Sequence, residues 1–348
     1  MYCSNYTTWF IRVLLLFAAI LPYAKETPAQ NEASHWCFGI HAHISFASGT
    51  PISVGTSAIN TREGCCTISD AEGNLLFYSD GVSVWNRNHI RMPNGFGLLG
   101  NSSSTQSSIV IPKPGSSHLY YLFTAPDCNL PGGLCYSLVD MTLDGGMGDI
   151  AVTEKNITLL PEVTEKVTAV FHANQTDIWV ITHERNNNTF AAFLVGTAGI
   201  NHLPVKSHTG SVHGPNNVTY LGYMKASPDG NRMAVAVYSP LSFFELFDFN
   251  NSNGTLSNPV KFTNGLNGPY GVEFSPNSQL LYLGDYNLGK LFQANLSGDS
   301  ATIVASMTQI AFPLFQMGAL QIGSDQKIYI TIEGHTHLHV ISNPNVPG

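Results

Sequence analysis

The sequence predicts an all-β fold, because one strand-turn-strand unit recurs along it, each copy joining a short apolar strand to an alternating strand through a polar turn. Four strong and two weak copies run over residues 66–79, 224–237, 272–283, 320–331, 108–123 and 168–182. Consecutive turns lie about 42 to 59 residues apart, which is the period of propeller blades. We therefore expect a β-propeller with six visible blade hairpins.

A seventh blade would form if the segment from Trp36 to Phe46 joined further strands at the carboxyl end. No window shows the apolar periodicity of a three-turn helix, so residues 34–348 are expected to form a single β-propeller domain. Aromatic side chains should fill the spaces between blades, and the candidates are Trp85, Phe123, Trp179, Phe249 and Tyr282.

Composition excludes one class of partner. The chain has 15 Lys and Arg against 23 Asp and Glu, a formal net charge of -8, and no basic run. A nucleic-acid surface needs clustered basic side chains that displace counterions from phosphates. We therefore expect no nucleic-acid partner.

The amino-terminal segment has the pattern of a signal peptide. Arg12 precedes an apolar run from Val13 to Leu21, which is too short to span a bilayer that needs about 20 apolar residues. Residues 1–24 are the predicted leader, with cleavage between residues 24 and 29; an uncleaved anchor is the alternative. No later segment is apolar enough for a membrane span, so the mature chain is expected to be extracellular or on the outer cell surface.

The number of cysteines is compatible with an exported protein, but it is odd in the mature chain, so one cysteine would stay unpaired. Removal of the leader leaves Cys37, Cys65, Cys66, Cys128 and Cys135. Cys128 and Cys135 flank a short loop that can bring two strand ends to bridging distance, which favours a local disulfide. Cys37 is expected to pair with Cys65 or Cys66, which point to opposite faces of a strand. The alternative is that all five are reduced and buried.

A long series of motifs resembles one bacterial family. The motifs are Thr61-Arg-Glu-Gly-Cys65, the segment from Ser69 to Asn88, Leu98 to Ser107, Val139 to Asp149, Trp179-Val-Ile-Thr-His-Glu184, Gly222 to Gly230, Tyr270-Gly-Val-Glu-Phe-Ser-Pro276 and Ile341-Ser-Asn-Pro-Asn345. In this order they resemble the amino-terminal propeller of large surface proteins associated with gliding motility and type IX secretion. The resemblance covers nearly all of the mature chain.

This resemblance implies a location and a fold more than a chemistry. Members of that family continue beyond the Asn-Pro-Asn signature into adhesion modules and a sorting domain, so it implies that the present chain is a truncated or fragmentary member. The family has no established enzymatic residues to transfer. It therefore implies a binding module of the cell surface.

Candidate binding residues come from the geometry of a propeller, where the segments that enter the innermost strands crowd the mouth of the central channel. These segments supply Glu63, Gln106, Glu165, Lys166, Tyr223, Lys225, Tyr270, Glu273 and Gln316. One interpretation is a recognition pocket for a glycan, a peptide or a surface protein. The alternative is that these side chains only satisfy buried backbone groups.

Metal and catalytic motifs are weaker. His335, His337 and His339 alternate, so on a strand they share one face, and neutral imidazoles in this arrangement could bind a transition metal. Because neighbouring members would lie about 7 Å apart, we expect an exposed polar face instead. Asp140, Asp144 and Asp149 lack the EF-hand spacing and are expected to form a solvated turn. His183-Glu184 has Asn187 where a zinc protease needs a second His. We therefore expect no metal, no cofactor and no catalytic residue.

Two function classes remain open. The first is a binding module without catalysis. The second is a propeller hydrolase, because Gly268-Pro-Tyr-Gly-Val-Glu-Phe-Ser-Pro276 and the Ser-Pro-Asp-Gly hairpins resemble those of propeller lactonases. In those enzymes a His commonly follows the Pro. The present chain has Tyr270 and Gly271 at that place, so the sequence favours binding.

Overall fold

The chain forms seven antiparallel sheets arranged in succession as the blades of a propeller. The computed structural model describes residues 31–130, 132–311 and 316–348. The expected signal peptide and its cleavage region lie outside these residues. In the part of the chain that is described, no helix is long and apolar enough to cross a membrane.

The first four blades follow the chain from its amino-terminal side. Blade 1 contains β1 (His35–Phe38), β2 (Ile40–Ser45) and β3 (Ile52–Asn60), and blade 2 contains β4 (Cys66–Ser69), β5 (Leu75–Ser79) and β6 (Val84–Asn86). Blade 3 contains β7 (Ser108–Pro112), β8 (Leu119–Thr124), β9 (Leu134–Asp140), β10 (Asp149–Ile150) and β11 (Ile157–Leu160). Blade 4 contains β12 (Val163–Phe171), β13 (Ile178–Glu184), β14 (Asn187–Gly196), β15 (Gly199–Ile200) and β16 (Val205–His213).

The remaining three blades complete the ring. Blade 5 contains β17 (Met224–Ala226), β18 (Arg232–Val237), β19 (Phe243–Asn250) and β20 (Thr255–Phe262). Blade 6 contains β21 (Pro269–Phe274), β22 (Leu280–Asp285), β23 (Lys290–Asn295) and β24 (Thr308–Ala311), and blade 7 contains β25 (Met317–Ile322), β26 (Ile328–Ile332) and β27 (His339–Ile341). Helix is limited to α1 (Ser300–Ala305) and to 3-10 turns at Asn31–Ala33, Asp144–Gly146, Val152–Glu154 and Asn217–Tyr220 among the described residues.

All six predicted hairpins are confirmed as the first two strands of blades 2 to 7. In blades 5 and 6 a serine closes the turn: Ser227 Oγ accepts a hydrogen bond from Arg232 N at 2.9 Å, and Ser275 Oγ accepts one from Leu280 N at 2.9 Å. A short hydroxyl side chain can bond the main chain of its own turn in this way. In these two blades the Ser therefore stabilises the turn that joins the two strands.

The origin of the seventh blade differs from the expectation. The segment from Trp36 to Phe46 does not join carboxyl-terminal strands; it provides β1 and β2, which pair with β3 to form a complete sheet. Blades 1 and 7 meet through side chains instead. Tyr329 on β26 lies edge-on to Trp36 and to Phe46, with ring centroids 5.7 and 5.6 Å apart.

The hydrophobic core is divided into clusters that lie between consecutive blades. Phe123, Trp179, Phe249 and Tyr282 are buried in these clusters, and Trp85 packs against the cluster between blades 1 and 2, as the sequence predicts. Sheets with two apolar faces bury both of them only by stacking against two neighbours. Each blade therefore depends on the blades beside it.

The predicted disulfide between Cys128 and Cys135 is corrected by the structure, in which both thiols are free. Cys135 Sγ lies 3.5 Å from Thr158 Oγ1 on the neighbouring strand β11, whereas Cys128 lies beside Glu165. The two side chains therefore face different surroundings although their loop is short. Cys37, Cys65 and Cys66 are also free, and burial raises the pKa of the Cys37 thiol to about 12.

Candidate functional site

One end of the propeller collects two kinds of loop. The segments that enter the innermost strands lie there, together with the loops between the second and third strands of each blade, because successive antiparallel strands reverse direction. Contacts link the two kinds of loop: Asp285, at the end of β22, accepts hydrogen bonds from the backbone N–H groups of Asn267 and Gly268 before β21. We call this end of the ring the entry face.

On the side of blades 3 to 5, the predicted residues bond to main chain. Glu165 accepts hydrogen bonds from Thr105 N at 2.7 Å, from Thr105 Oγ1 at 2.8 Å and from Cys128 N at 2.6 Å. Gln106 is bonded to Met224 through both its amide N and its amide O, at 3.1 and 2.8 Å. Glu165 thus links blade 4 to blade 3, and Gln106 links the segment before blade 3 to blade 5.

Lys166 has the same structural role. Its Nζ donates to the carbonyl oxygens of Tyr220 and Leu221 at 2.7 and 2.8 Å. Burial lowers the pKa of Lys166 to about 7, and the neighbouring Glu165 opposes that change; burial also raises the pKa of Glu165. Desolvation thus moves both groups toward their neutral forms.

A second group lies deeper along the innermost strands of blades 5 to 7. Lys225, Glu273 and Gln321 each stand two residues before the hairpin turn of their blade. Lys225 Nζ donates to Gln321 Oε1 and lies 3.4 Å from Glu273 Oε2. Burial raises the pKa of Glu273, and the Lys225 ammonium opposes the shift. Blades 5 to 7 therefore touch one another through side chains at this level.

Four tyrosines gather on the entry face of blades 5 and 6. Tyr223 lies edge-on to Tyr270 with ring centroids 5.6 Å apart, and Tyr286 lies 5.8 Å from Tyr270. Tyr238 is 6.4 Å from both Tyr270 and Tyr286. Tyr270 is 8% exposed, whereas the other three are half-buried. The group presents aromatic edges and faces with hydroxyl groups attached.

Two carboxylates accept hydrogen bonds from these tyrosines. Tyr270 donates its hydroxyl to Glu63 Oε2 at 2.8 Å, and Tyr286 donates to Glu333 Oε2. Burial raises the pKa of Glu63 to about 7, and the Tyr270 hydrogen bond opposes the rise. Glu63 therefore exchanges its proton near neutral pH. We call Glu63, Tyr223, Tyr238, Tyr270, Tyr286 and Glu333 the tyrosine cluster.

The structure thus brings together three of the nine predicted residues, Glu63, Tyr223 and Tyr270, in one cluster. Gln316 is exposed, and its carbonyl accepts a hydrogen bond from Glu333 N at 3.1 Å, but its side chain is not part of the cluster. Sequence reasoning missed Tyr238, Tyr286 and Glu333. A signal existed for two of them, because Tyr238 and Tyr286 are 48 residues apart, the spacing that also separates Ser227 from Ser275.

The three alternating histidines do not form a regular strand, which corrects the expectation of widely spaced side chains. Only His339 belongs to β27; His335 and His337 lie in the loop from β26. The ligating nitrogens of the three all lie within 4.8 Å of one another. Asp140 accepts hydrogen bonds from Thr142 within its turn, as expected. Asp149 is instead buried on β10 and accepts hydrogen bonds from Asn94, which corrects the expectation of a solvated turn for this residue.

A surface groove lies elsewhere on the ring. It has a volume of about 650 Å³ and runs between β20 and α1, lined by Pro259, Val260, Lys261, Asn264, Ser300, Ala301, Val304, Ala305 and Met307. It is an open depression on the flank of the ring without a convergent set of polar groups. Recognition sites combine aromatic and apolar side chains with a few convergent polar groups, and such groups occur in the tyrosine cluster.

Comparison with solved structures identifies the same architecture. The chain is similar to the Myceliophteria thermophila Cps50 (Swd1) β-propeller domain, at 11% identity over 90% of this chain and 95% of that one, with a TM-score of 0.55. It is similar to Kuenenia stuttgartiensis hydrazine synthase at 12% identity, over 86% and 89% of the two chains, with a TM-score of 0.52.

A third similar structure is the periplasmic gluconolactonase of Pseudomonas aeruginosa, at 15% identity over 78% of this chain and 80% of that one, with a TM-score of 0.50. No protein-family model and no curated protein matches the sequence. Identities this low show a shared fold alone, and one fold serves many unrelated functions. Function therefore has to be argued from the site.

Proposed function

We propose that this chain is an exported, surface-located propeller that binds a glycan through the tyrosine cluster, without catalysis. The observation that carries the proposal is the convergence of four tyrosines and two carboxylates from six separate segments on one face of the ring. Segments so far apart in the sequence meet only through the fold.

The chemistry of the cluster suits a sugar. Aromatic rings offer apolar surface against which the C–H faces of a sugar pack, and their hydroxyl groups supply hydrogen bonds. The carboxylates of Glu63 and Glu333 accept hydrogen bonds from sugar hydroxyl groups. Tyr238, Tyr286 and Glu333 are at least partly accessible, so a ligand reaches them without opening the fold.

The location follows the resemblance to surface proteins associated with gliding motility and type IX secretion, together with the apolar run before Leu21. In this proposal the leader is removed between residues 24 and 29. Amino-terminal sequencing of the protein isolated from the producing cells tests this point. An intact Met1 on cytoplasmic protein would contradict export.

Binding is tested with the purified chain on a glycan array, with a peptide array beside it. We expect Tyr286→Ala to weaken binding of the best glycan by at least about tenfold, a loss of about 1.4 kcal/mol, if this ring is an anchor. Phe171→Ala is the control, because this exposed ring lies at the end of β12 on the opposite face. It should bind as the wild type does.

Other results of the experiment would overturn the proposal. Peptide binding that depends on Tyr286, with no glycan bound, would assign the site to a peptide. Equal glycan binding by Tyr286→Ala and the wild type would remove the cluster from the site. Hydrolysis of gluconolactone by the wild type that is lost in Glu63→Gln would favour the propeller hydrolase instead.

A further inference from the structure

The loop between β26 and β27 holds three imidazoles close together. The ring centroids of His335, His337 and His339 are 5.1 to 5.7 Å apart, and each ring is tilted by about 45° to the others. The ligating nitrogens all lie within 4.8 Å of one another. The rings therefore surround a common point rather than stacking face to face.

One of the three has an unsatisfied nitrogen. His339 Nε2 is buried and has no hydrogen-bond partner among the described residues, although buried polar atoms normally have one. His339 belongs to β27, whose pairing with β26 places it opposite Ile330. His339 thus has an unpaired nitrogen and lies beside two exposed imidazoles.

We propose that His335, His337 and His339 bind one divalent transition-metal ion of the zinc type. Imidazole nitrogen is a ligand that Zn²⁺, Cu²⁺ and Ni²⁺ prefer, whereas Mg²⁺ and Ca²⁺ prefer oxygen, and this group consists of imidazoles alone. The ion would satisfy His339 Nε2. Neutral imidazole is the form that ligates.

The distances between the ligating nitrogens require a small movement of the side chains before one ion can be bound by all three. Tetrahedral Zn²⁺ with bonds of about 2.0–2.1 Å holds its ligand nitrogens roughly 3.3 Å apart. Because His335 and His337 are exposed, their rings can turn inward while His339 stays in its strand. Three protein ligands leave at least one position for water or another ligand.

The proposal is independent of glycan binding, but the two sites are neighbours. Glu333, which accepts a hydrogen bond from Tyr286, stands two residues before His335 in the same loop. A bound ion would therefore restrict the segment that carries one carboxylate of the tyrosine cluster.

Metal binding is tested by titrating the metal-free chain, produced without a histidine tag, with Zn²⁺ in a calorimeter and with Co²⁺ as a coloured substitute. We expect one tight equivalent per chain and the visible bands of tetrahedral Co²⁺. His337→Ala should weaken Zn²⁺ binding by at least about tenfold, because loss of even an outer-shell partner costs that much. His335→Ala should do the same.

Two controls separate this site from other histidines. His118→Ala removes an exposed imidazole at the turn before β8, and His89→Ala removes a member of a second group, in which the His43 ring lies 5.3 Å from the His89 ring. Both variants should bind Zn²⁺ as the wild type does. Absence of a tight equivalent, its retention in both His335→Ala and His337→Ala, or its loss in His89→Ala would overturn the proposal.

Discussion

At the scale of single residues, Glu63 makes the free energy of unfolding depend on pH. Burial raises its pKa from 4.5 to about 7 in the folded chain. Between these two values the folded state holds the proton and the unfolded state does not, so the free energy of unfolding falls as the pH rises. The contribution of this carboxyl to stability is therefore fully present below about pH 4.5 and is lost as the pH passes about 7.

The measurement is a comparison of two proteins. Glu63→Gln resembles the protonated carboxyl and cannot titrate, so its stability relative to the wild type should increase from pH 4.5 to pH 7. Urea unfolding at each pH gives the difference, in which the contributions of histidines and other carboxyls cancel. A difference that does not change with pH would show that Glu63 has an ordinary pKa.

Single residues also show what the sequence could predict about the site. Glu63, Tyr223 and Tyr270 were predicted because propeller geometry locates the segments before the innermost strands. Tyr286 was missed because that argument did not consider the loops between second and third strands. The prediction of a disulfide was wrong because the length of a loop does not determine the direction of its side chains. Cys135 faces Thr158 rather than Cys128.

At the scale of elements, adjacent innermost strands approach so closely that glycine is required at one point. A Cβ added at Gly271 on β21 would lie 2.3 Å from the carbonyl oxygen of Gly318 on β25 and 2.5 Å from Leu320 Cδ1. The first neighbour is backbone and cannot turn away. We expect Gly271→Ala to lower the free energy of unfolding by at least about 2 kcal/mol, within the range for overpacked cores.

The matched control is Gly284→Ala, because Gly284 on β22 is the direct partner of Gly271. Its added Cβ would meet Met317 Sδ at 3.2 Å and Leu320 Cδ1 at 3.3 Å, and these are side-chain atoms that can move. Chemical unfolding should show a clearly smaller loss for Gly284→Ala. Equal losses would mean that the close approach of β21 and β25 is not what requires glycine.

At the scale of elements, the sequence predicts a hairpin correctly where a polar turn separates its two strands. The six hairpins of blades 2 to 7 were visible because a polar turn stands between an apolar and an alternating strand in every copy. Blade 1 does not stand out in the sequence because its first turn is the single Gly39, with a φ of 55°, between Phe38 and Ile40. This turn lacks the polar residues of the repeated pattern.

At the scale of the whole molecule, the ring is completed by aromatic packing between blades 1 and 7. Phe46 is 4% exposed, and its ring contacts Trp36 at 4.8 Å and Tyr329 at 5.6 Å. We expect Phe46→Ala to cost about 3 kcal/mol, since truncation of a buried aromatic leaves a cavity. The loss should be local, because each blade contacts mainly its neighbours.

Hydrogen exchange followed by mass spectrometry locates this effect. In Phe46→Ala, the amides of β1, β2 and β26 should exchange faster while those of β13 and β14 in blade 4 stay protected. The control is Phe96→Ala, which removes a ring that is 48% exposed. Uniformly faster exchange in all blades would indicate that the ring unfolds as one unit and that this junction has no special weakness.

The two sides of the entry face are built by different means. Across blades 3 to 5, Gln106, Glu165 and Lys166 are committed to main-chain groups, so replacing any of them disturbs the scaffold. Across blades 5 to 7, the exposed contacts of Tyr286 and Glu333 join one side chain to another. If the tyrosine cluster binds as proposed, changes at a few loop residues there would alter what is bound, while the opposite side preserves the architecture; specificity and foldability would then be separable traits in this ring.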